Sequence, residues 1–163
     1  MSQGWELFAD GNLQPSVLDS LTGVELNEAL LAYAIRARRG SLDSPLLAGT
    51  SKDLLEATAA HVLTELWGTY SETSNFPTLL GQAFTALELA TPQVQQIQGE
   101  PAHKRVERAM YETACSVNAF RNKEGTGHGR PWISGIKDFQ ARYAIETMGI
   151  IAKVLLVTLS EKK

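Results

Sequence analysis

"GIKDFQARYAIETMGIIAKVLLVTLSEKK", residues 135–163, is the longest apolar-periodic run in the chain. Ile136, Phe139, Tyr143, Met148, Ile151, Leu155 and Leu159 recur along it at helical spacing. Its most apolar part, near 148–159, is short and interrupted by Gly149 and Lys153, so it reads as a core helix and not a membrane span. A helix of this kind must bury its face against others, and four more are written upstream. "TGVELNEALLAYAIRARRG" (22–40) opens with Thr22 and Glu25 at capping-box spacing and closes on Arg36, Arg38 and Arg39 before Gly40. "TSKDLLEATAAHVLTELWG" (50–68) repeats the form, with Thr50 or Ser51 as cap and Gly68 as stop. "NFPTLLGQAFTALELATP" (75–92) sets Asn75 before Pro77 and ends ahead of Pro92. "EPAHKRVERAMYETACSVNAFRNKEG" (100–125) opens at Pro101 and carries Val106, Met110, Ala114, Val117 and Phe120 on one stripe.

No period-two strand, internal repeat or low-complexity linker interrupts this order. The expectation is an all-α, up-and-down bundle of about five helices joined by short connections. It forms a single helical domain over 21–163, with residues 1–20, including "GWELF", as a short helix or an extended arm. At 163 residues the chain is long enough for one substantial core. Hydrophobic content of 44% and charged content of 20% are those of a folded globule and exclude a disordered chain. The net charge of −3 excludes a globally basic nucleic-acid coat. The single cysteine, Cys115, excludes an internal disulfide framework and reads as a packed small apolar residue. "MSQGWELFADGNLQPS" has no basic segment leading into an apolar run, so the expectation is a chain without signal peptide or membrane partner, located in the cytoplasm.

Just before the longest helix stands "RNKEGTGHGR", residues 121–130, a polar, glycine-rich decapeptide with Arg121, Lys123 and Arg130 against the single acid Glu124. From Arg121 to Arg142, five Lys or Arg (Arg121, Lys123, Arg130, Lys137, Arg142) face two acids (Glu124, Asp138), a positive stretch in an acidic protein. Position 121 continues the stripe of residues 110, 114 and 117 just where the fourth helix ends. An Arg there can snorkel, bond the last carbonyls of its own helix, or hold an anion between two helices in bidentate fashion. His128 lies between Gly127 and Gly129, which allow the backbone to approach a ligand closely. Its imidazole, with an ordinary pKa of about 6.5, suits proton transfer near neutral pH, or it is a solvated loop residue. An Arg and a His at the mouth of a helix pair could cleave a phosphodiester, one neutralising phosphate charge and the other moving the proton. Gly125, Gly127 and Gly129 also invite a phosphate-cradle reading, although their spacing fits no standard nucleotide-binding motif. No zinc-ligand spacing and no G-x-S-x-G elbow occur, and the expectation is neither metal nor cofactor. His61 with Glu56 or Glu65 reads as an exposed helical pairing; Trp67 and Trp132 fit either core or interface.

"NAFRNKEGTGHGRPW", followed by "ARYAIETMGIIAKVLL", resembles the C-terminal abortive-infection domain family (Abi-C) of bacterial phage-defence proteins, related to the HEPN superfamily. "DLLEATAAHVLTEL" and "FPTLLGQAFTALEL" resemble its earlier helices, so the resemblance covers about residues 50–160. It implies a HEPN-like helical fold and metal-independent endoribonuclease chemistry with Arg121, Asn122 and His128 as catalytic residues. A ribose 2′-hydroxyl would attack the neighbouring phosphate. His128 would act as base or acid, Arg121 would stabilise the phosphorane, and Asn122 would orient one of them. The resemblance further implies a homodimer with the site at its interface. Lys123, Arg130, Arg142 and the glycine backbone of 125, 127 and 129 would hold RNA, and a separate antitoxin or sensor protein would act as partner. The alternative is a non-catalytic helical module that binds RNA, a nucleotide or a protein through the same loop. A third possibility is a structural clasp, with Arg121 satisfying carbonyls and Asn122 and Thr126 capping.

Overall fold

The computed structural model describes residues 5–7, 13–15, 23–38, 44–124 and 138–163. Five helices carry the architecture: α1 (Gly23–Arg38), α2 (Ser44–Trp67), α3 (Phe76–Ala86), α4 (His103–Glu124) and α5 (Asp138–Glu161). The chain is an all-α bundle, as its periodicity predicts. The N-terminal segment adds a small ribbon, β1 (Trp5–Leu7) and β2 (Leu13–Pro15), paired antiparallel with Glu6 opposite Gln14. Runs of three residues are too short to show a period of two, so composition alone does not reveal them.

Helix α2 starts earlier than its internal Thr50–Ser51 pair suggests. Ser44 followed by Pro45 is itself a helix start, because proline's missing N–H costs nothing in the first turn. The helix stops at Gly68, which adopts the left-handed conformation (φ 80°) and returns its N–H to the carbonyl of Thr64 at 3.0 Å. Asn75 caps α3 by accepting the N–H of Thr78 at 3.0 Å. Helix α3 closes at Ala86, several residues before Pro92. Leu89 donates its N–H back to the carbonyl of Phe84 at 2.8 Å, and Glu88 takes the left-handed turn (φ 62°) usually reserved for glycine. The Lys104 ammonium, bonded to the Glu88 carbonyl at 2.9 Å, holds that strained turn from α4.

The core lies where α5 meets α1 and α2, with α3 laid on α2. Helix α2 is buried on most of its circumference, through Leu54, Leu55, Thr58, Ala59, His61, Val62 and Leu63. Its one hydroxyl there, Thr58, donates to the Leu54 carbonyl at 2.7 Å and so enters the core already satisfied. Helix α5 contributes Ala144, Ile145, Met148, Ile151, Ala152, Leu155, Leu156 and Leu159. Burying each such Leu or Ile is worth about 1.5–3 kcal/mol relative to exposure. Residues 142–161 are long and apolar enough to cross a membrane by length and composition, yet half of that window is buried inside the bundle.

Helix α4 packs on α3 and α5, and thinly on both beside the broad contacts that α5 makes with α1 and α2. Tyr111 anchors it, donating its hydroxyl to the Pro77 carbonyl at 2.8 Å and meeting Phe84 edge-on at 5.5 Å between centroids. The buried face of α4 is Glu107, Tyr111, Ala114 and Asn118, rotated from the predicted stripe, and Val106 is exposed. Glu107 accounts for the rotation: its carboxylate accepts the N–H of Ala90 at 2.8 Å and pairs with Lys104 at 3.0 Å. A carboxylate can turn inward when it satisfies a buried donor and a cation together.

Candidate functional site

The seam between α4 and the start of α5 is open. A groove of about 680 Å³ runs along it, lined by Ala109, Glu112, Thr113, Ser116, Val117 and Phe120 from α4 and by Phe139, Gln140, Tyr143 and Ala144 from α5. Two rings from α5 stand largely in solvent, Phe139 at 65% and Tyr143 at 61% exposure. The predicted core stripe of α5 had included both. Tyr143 and Met148 are five residues apart, and at about 100° per residue that step carries Tyr143 roughly 140° round the helix from Met148. The true core face runs through 144, 145, 148, 151 and 152, so Phe139 and Tyr143 form a second stripe facing the groove. The five-residue jump was the sequence signal for this second stripe. Ile136 lies outside the described residues.

The groove leads to the predicted catalytic end of α4. Phe120 lines it, and Arg121, Asn122 and Lys123 follow in the last helical turn. Position 121 sits one turn beyond Val117, a groove residue packed against the core, and position 122 one turn beyond the buried Asn118. The two positions therefore fall at opposite edges of the inward face of α4, with 121 on the edge bordering the groove. Asn118 is only 7% exposed, and its Oδ1 accepts no hydrogen bond. A buried acceptor left unmet is costly, and it lies one turn before the motif. Arg142 is exposed on α5 beside Tyr143. Gly125, Gly127, His128, Gly129 and Arg130, with Thr126, Trp132 and Lys137, lie outside the described residues.

Other titratable groups serve packing. His61 is 3% exposed, not the surface partner expected, because it lies on the broad buried face of α2 with Leu54, Thr58 and Val62. Burial holds its imidazole below its ordinary pKa against the opposing pull of Glu65, and Nε2 has no hydrogen-bond partner. Glu65 instead accepts a hydrogen bond from Lys163 at 2.7 Å, which lowers its pKa. Cys115 is half-buried against the core, and burial raises its thiol pKa, so it is packing material as its sequence context suggests. Trp67 is half-exposed at the end of α2. Glu100 and Arg108 form a bidentate pair, with Nη2 to Oε2 at 3.0 Å, that braces the start of α4. Among the described residues, no three His, Cys, Asp or Glu side chains come together so as to hold a metal ion.

A family model described as a HEPN-like domain, Abi_C, matches residues 28–159. That span takes in all five helices, from within α1 to the last turn of α5. No curated protein and no solved structure matches the chain.

Proposed function

The chain belongs to the Abi_C family of HEPN-like domains, and from that membership we propose that it is a phage-defence or toxin-like effector that cleaves RNA without a metal ion. The observation that carries this is the placement of Arg121 and Asn122 in the final turn of α4, with position 121 on the edge that borders an open groove between α4 and α5. An Arg in that position can neutralise charge on phosphate oxygens as the ribose 2′-hydroxyl attacks. His128, seven residues on, moves the proton, and Asn122 orients one of the two. Lys123, Arg130 and Arg142, with the backbone of Gly125, Gly127 and Gly129, hold the RNA chain. Two copies of the protein bring their loops together across a two-fold axis. A separate protein serves as antitoxin or sensor.

The test is cleavage of a labelled single-stranded RNA in EDTA by the wild type and by His128→Ala, matched for thermal stability. Loss of a general acid–base group lowers the rate about 10²- to 10⁴-fold, and the wild-type product should end in a 2′,3′-cyclic phosphate. Equal cleavage by the two proteins would remove His128 from the mechanism. RNA or nucleotide binding by the wild type without turnover would make the protein a binding module instead. A third outcome, in which Arg121→Ala lowers the melting temperature but leaves cleavage and binding unchanged, would reduce the motif to a structural clasp.

A further inference from the structure

The groove between α4 and α5 carries more chemistry than phosphate handling needs. Three aromatic rings, Phe120, Phe139 and Tyr143, line one channel, two of them mostly exposed on α5. Its volume of about 680 Å³ lies within the range of about 300–1,000 Å³ usual for small-ligand pockets. Its charge is divided. The carboxylate of Glu112 and the hydroxyl of Ser116 belong to the lining, whereas Arg142 is exposed outside it, beside Tyr143. A carboxylate within the channel repels a phosphate there but accepts a hydrogen bond from an amino group on a base edge. The Thr113 hydroxyl donates to the Ala109 carbonyl at 2.7 Å, so toward the groove its oxygen acts as an acceptor too. Rings that stack, acceptors inside and a cation outside are complementary to a nucleobase drawn out of its stack, with its backbone left at the rim.

We infer that the α4–α5 groove is a nucleobase subsite. Phe139 and Tyr143 stack a base of single-stranded RNA, and Glu112 selects one bearing an exocyclic amino group, as adenine and cytosine do. This inference rests on the proposed action on RNA and deepens it by naming what lies beside the scissile phosphate. It also gives α4 two adjoining tasks, with bases read along the helix and phosphate handled at its end.

The experiment uses the unaltered chain and 2′-O-methyl oligonucleotides, which lack the attacking hydroxyl and cannot be cut. Anisotropy titrations compare an adenine- or cytosine-rich oligomer, a uridine oligomer and the same backbone with abasic residues. Stacking of one base is worth a roughly 5- to 150-fold change in affinity, so the abasic oligomer should bind that much more weakly. Tyr143→Ala should weaken the intact oligomer by a similar factor and leave the abasic one unaffected. Glu112→Gln should narrow the gap between amino-bearing bases and uridine. Equal affinity for intact and abasic oligomers, or no binding of any of them, would overturn the inference. So would a Tyr143→Ala variant that turns a dimer into a monomer without changing oligomer affinity, since the groove would then seat a second copy. Cleavage of ordinary RNA, measured in parallel, separates the two ideas. Cutting without base dependence sinks the subsite and keeps the ribonuclease. Base dependence without cutting keeps the subsite and sinks the catalysis.

Discussion

Beyond Met148, helix α5 buries a continuous face of Ile151, Ala152, Leu155, Leu156 and Leu159, and two ion pairs tie its end to neighbouring segments. Lys162 reaches Glu88 and Lys163 reaches Glu65, each at 2.7 Å. Before Ala144 the same helix turns Phe139 and Tyr143 toward solvent and lines a groove. Both parts carry large apolar side chains at helical spacing, but they differ in what faces them. The C-terminal half meets α1 and α2, which are broad and apolar. The N-terminal half meets α4, whose inward face is spent on Glu107 and Asn118 and which packs against it thinly. An apolar stripe becomes core only where a second apolar surface is supplied; elsewhere it stays exposed to solvent.

The sharpest way to break this comparison is to truncate one residue in each half. Leu155→Ala removes a fully buried side chain and should cost about 2–5 kcal/mol, read as a fall in the denaturant midpoint with little change in slope. A loss below about 1 kcal/mol would mean that the C-terminal half is not the core of the bundle. The next largest effect belongs to α4. Glu107→Ala strands the Ala90 N–H and removes the carboxylate paired with Lys104, and should cost about 1–3 kcal/mol; Glu107→Gln, which still presents an oxygen to Ala90, should recover part of that loss.

These two residues also mark how far the sequence could be read. Leu155 was legible, because its steps to Ile151 and Leu159 keep one face. The same periodicity and its glycine, proline and asparagine punctuation announced the helices, with Asn75 and Gly68 serving as predicted. Glu107 was not legible. It sits one residue from Val106, and only tertiary structure shows a backbone N–H seventeen residues away in need of an acceptor. Similarly, no residue type at position 88 signals a left-handed turn, because the Lys104 bond that holds Glu88 there comes from another helix. At the candidate site, the Arg121–Asn122 motif was plain from composition and resemblance. The groove was hidden because Phe139 and Tyr143 look like core residues until the five-residue step to Met148 is measured in degrees.

His61 offers a smaller test of the packed side. Burial depresses its folded-state pKa below the ordinary value of 6.5, so the unfolded chain binds the proton more readily. Stability is then full above about pH 6.5 and falls as the pH drops from there toward the folded-state pKa, by at most about 1.4 kcal/mol per pH unit for one proton. The charged groups acting on the ring are Glu65, which raises its pKa, and Lys163, which lowers it. The depressed pKa of Glu65 acts separately, its contribution being lost only below its ordinary value of 4.5. Denaturant titrations of wild type and His61→Leu from pH 6.5 to about 5 should therefore diverge, the variant losing less stability. Parallel curves would show that His61 is as accessible to protons in the fold as in the unfolded chain.

The smallest expected effects fall on the open half of α5 and on the surface ties, and they complete the comparison. Tyr143→Ala removes a ring that is mostly in water, so its stability should stay within about 0.5 kcal/mol of wild type. Lys162→Ala breaks a pair whose carboxylate is itself largely exposed, and solvent screening should leave the melting temperature without a measurable shift. A large loss on Tyr143→Ala would place that ring in the stabilising core and make α5 one continuous packed helix. Near-neutrality has the opposite consequence. It leaves a large aromatic side chain, on the helix beside Arg142 and lining the groove, that the fold does not need for its stability. Any loss of RNA affinity in the same variant could then be assigned to the groove and not to unfolding.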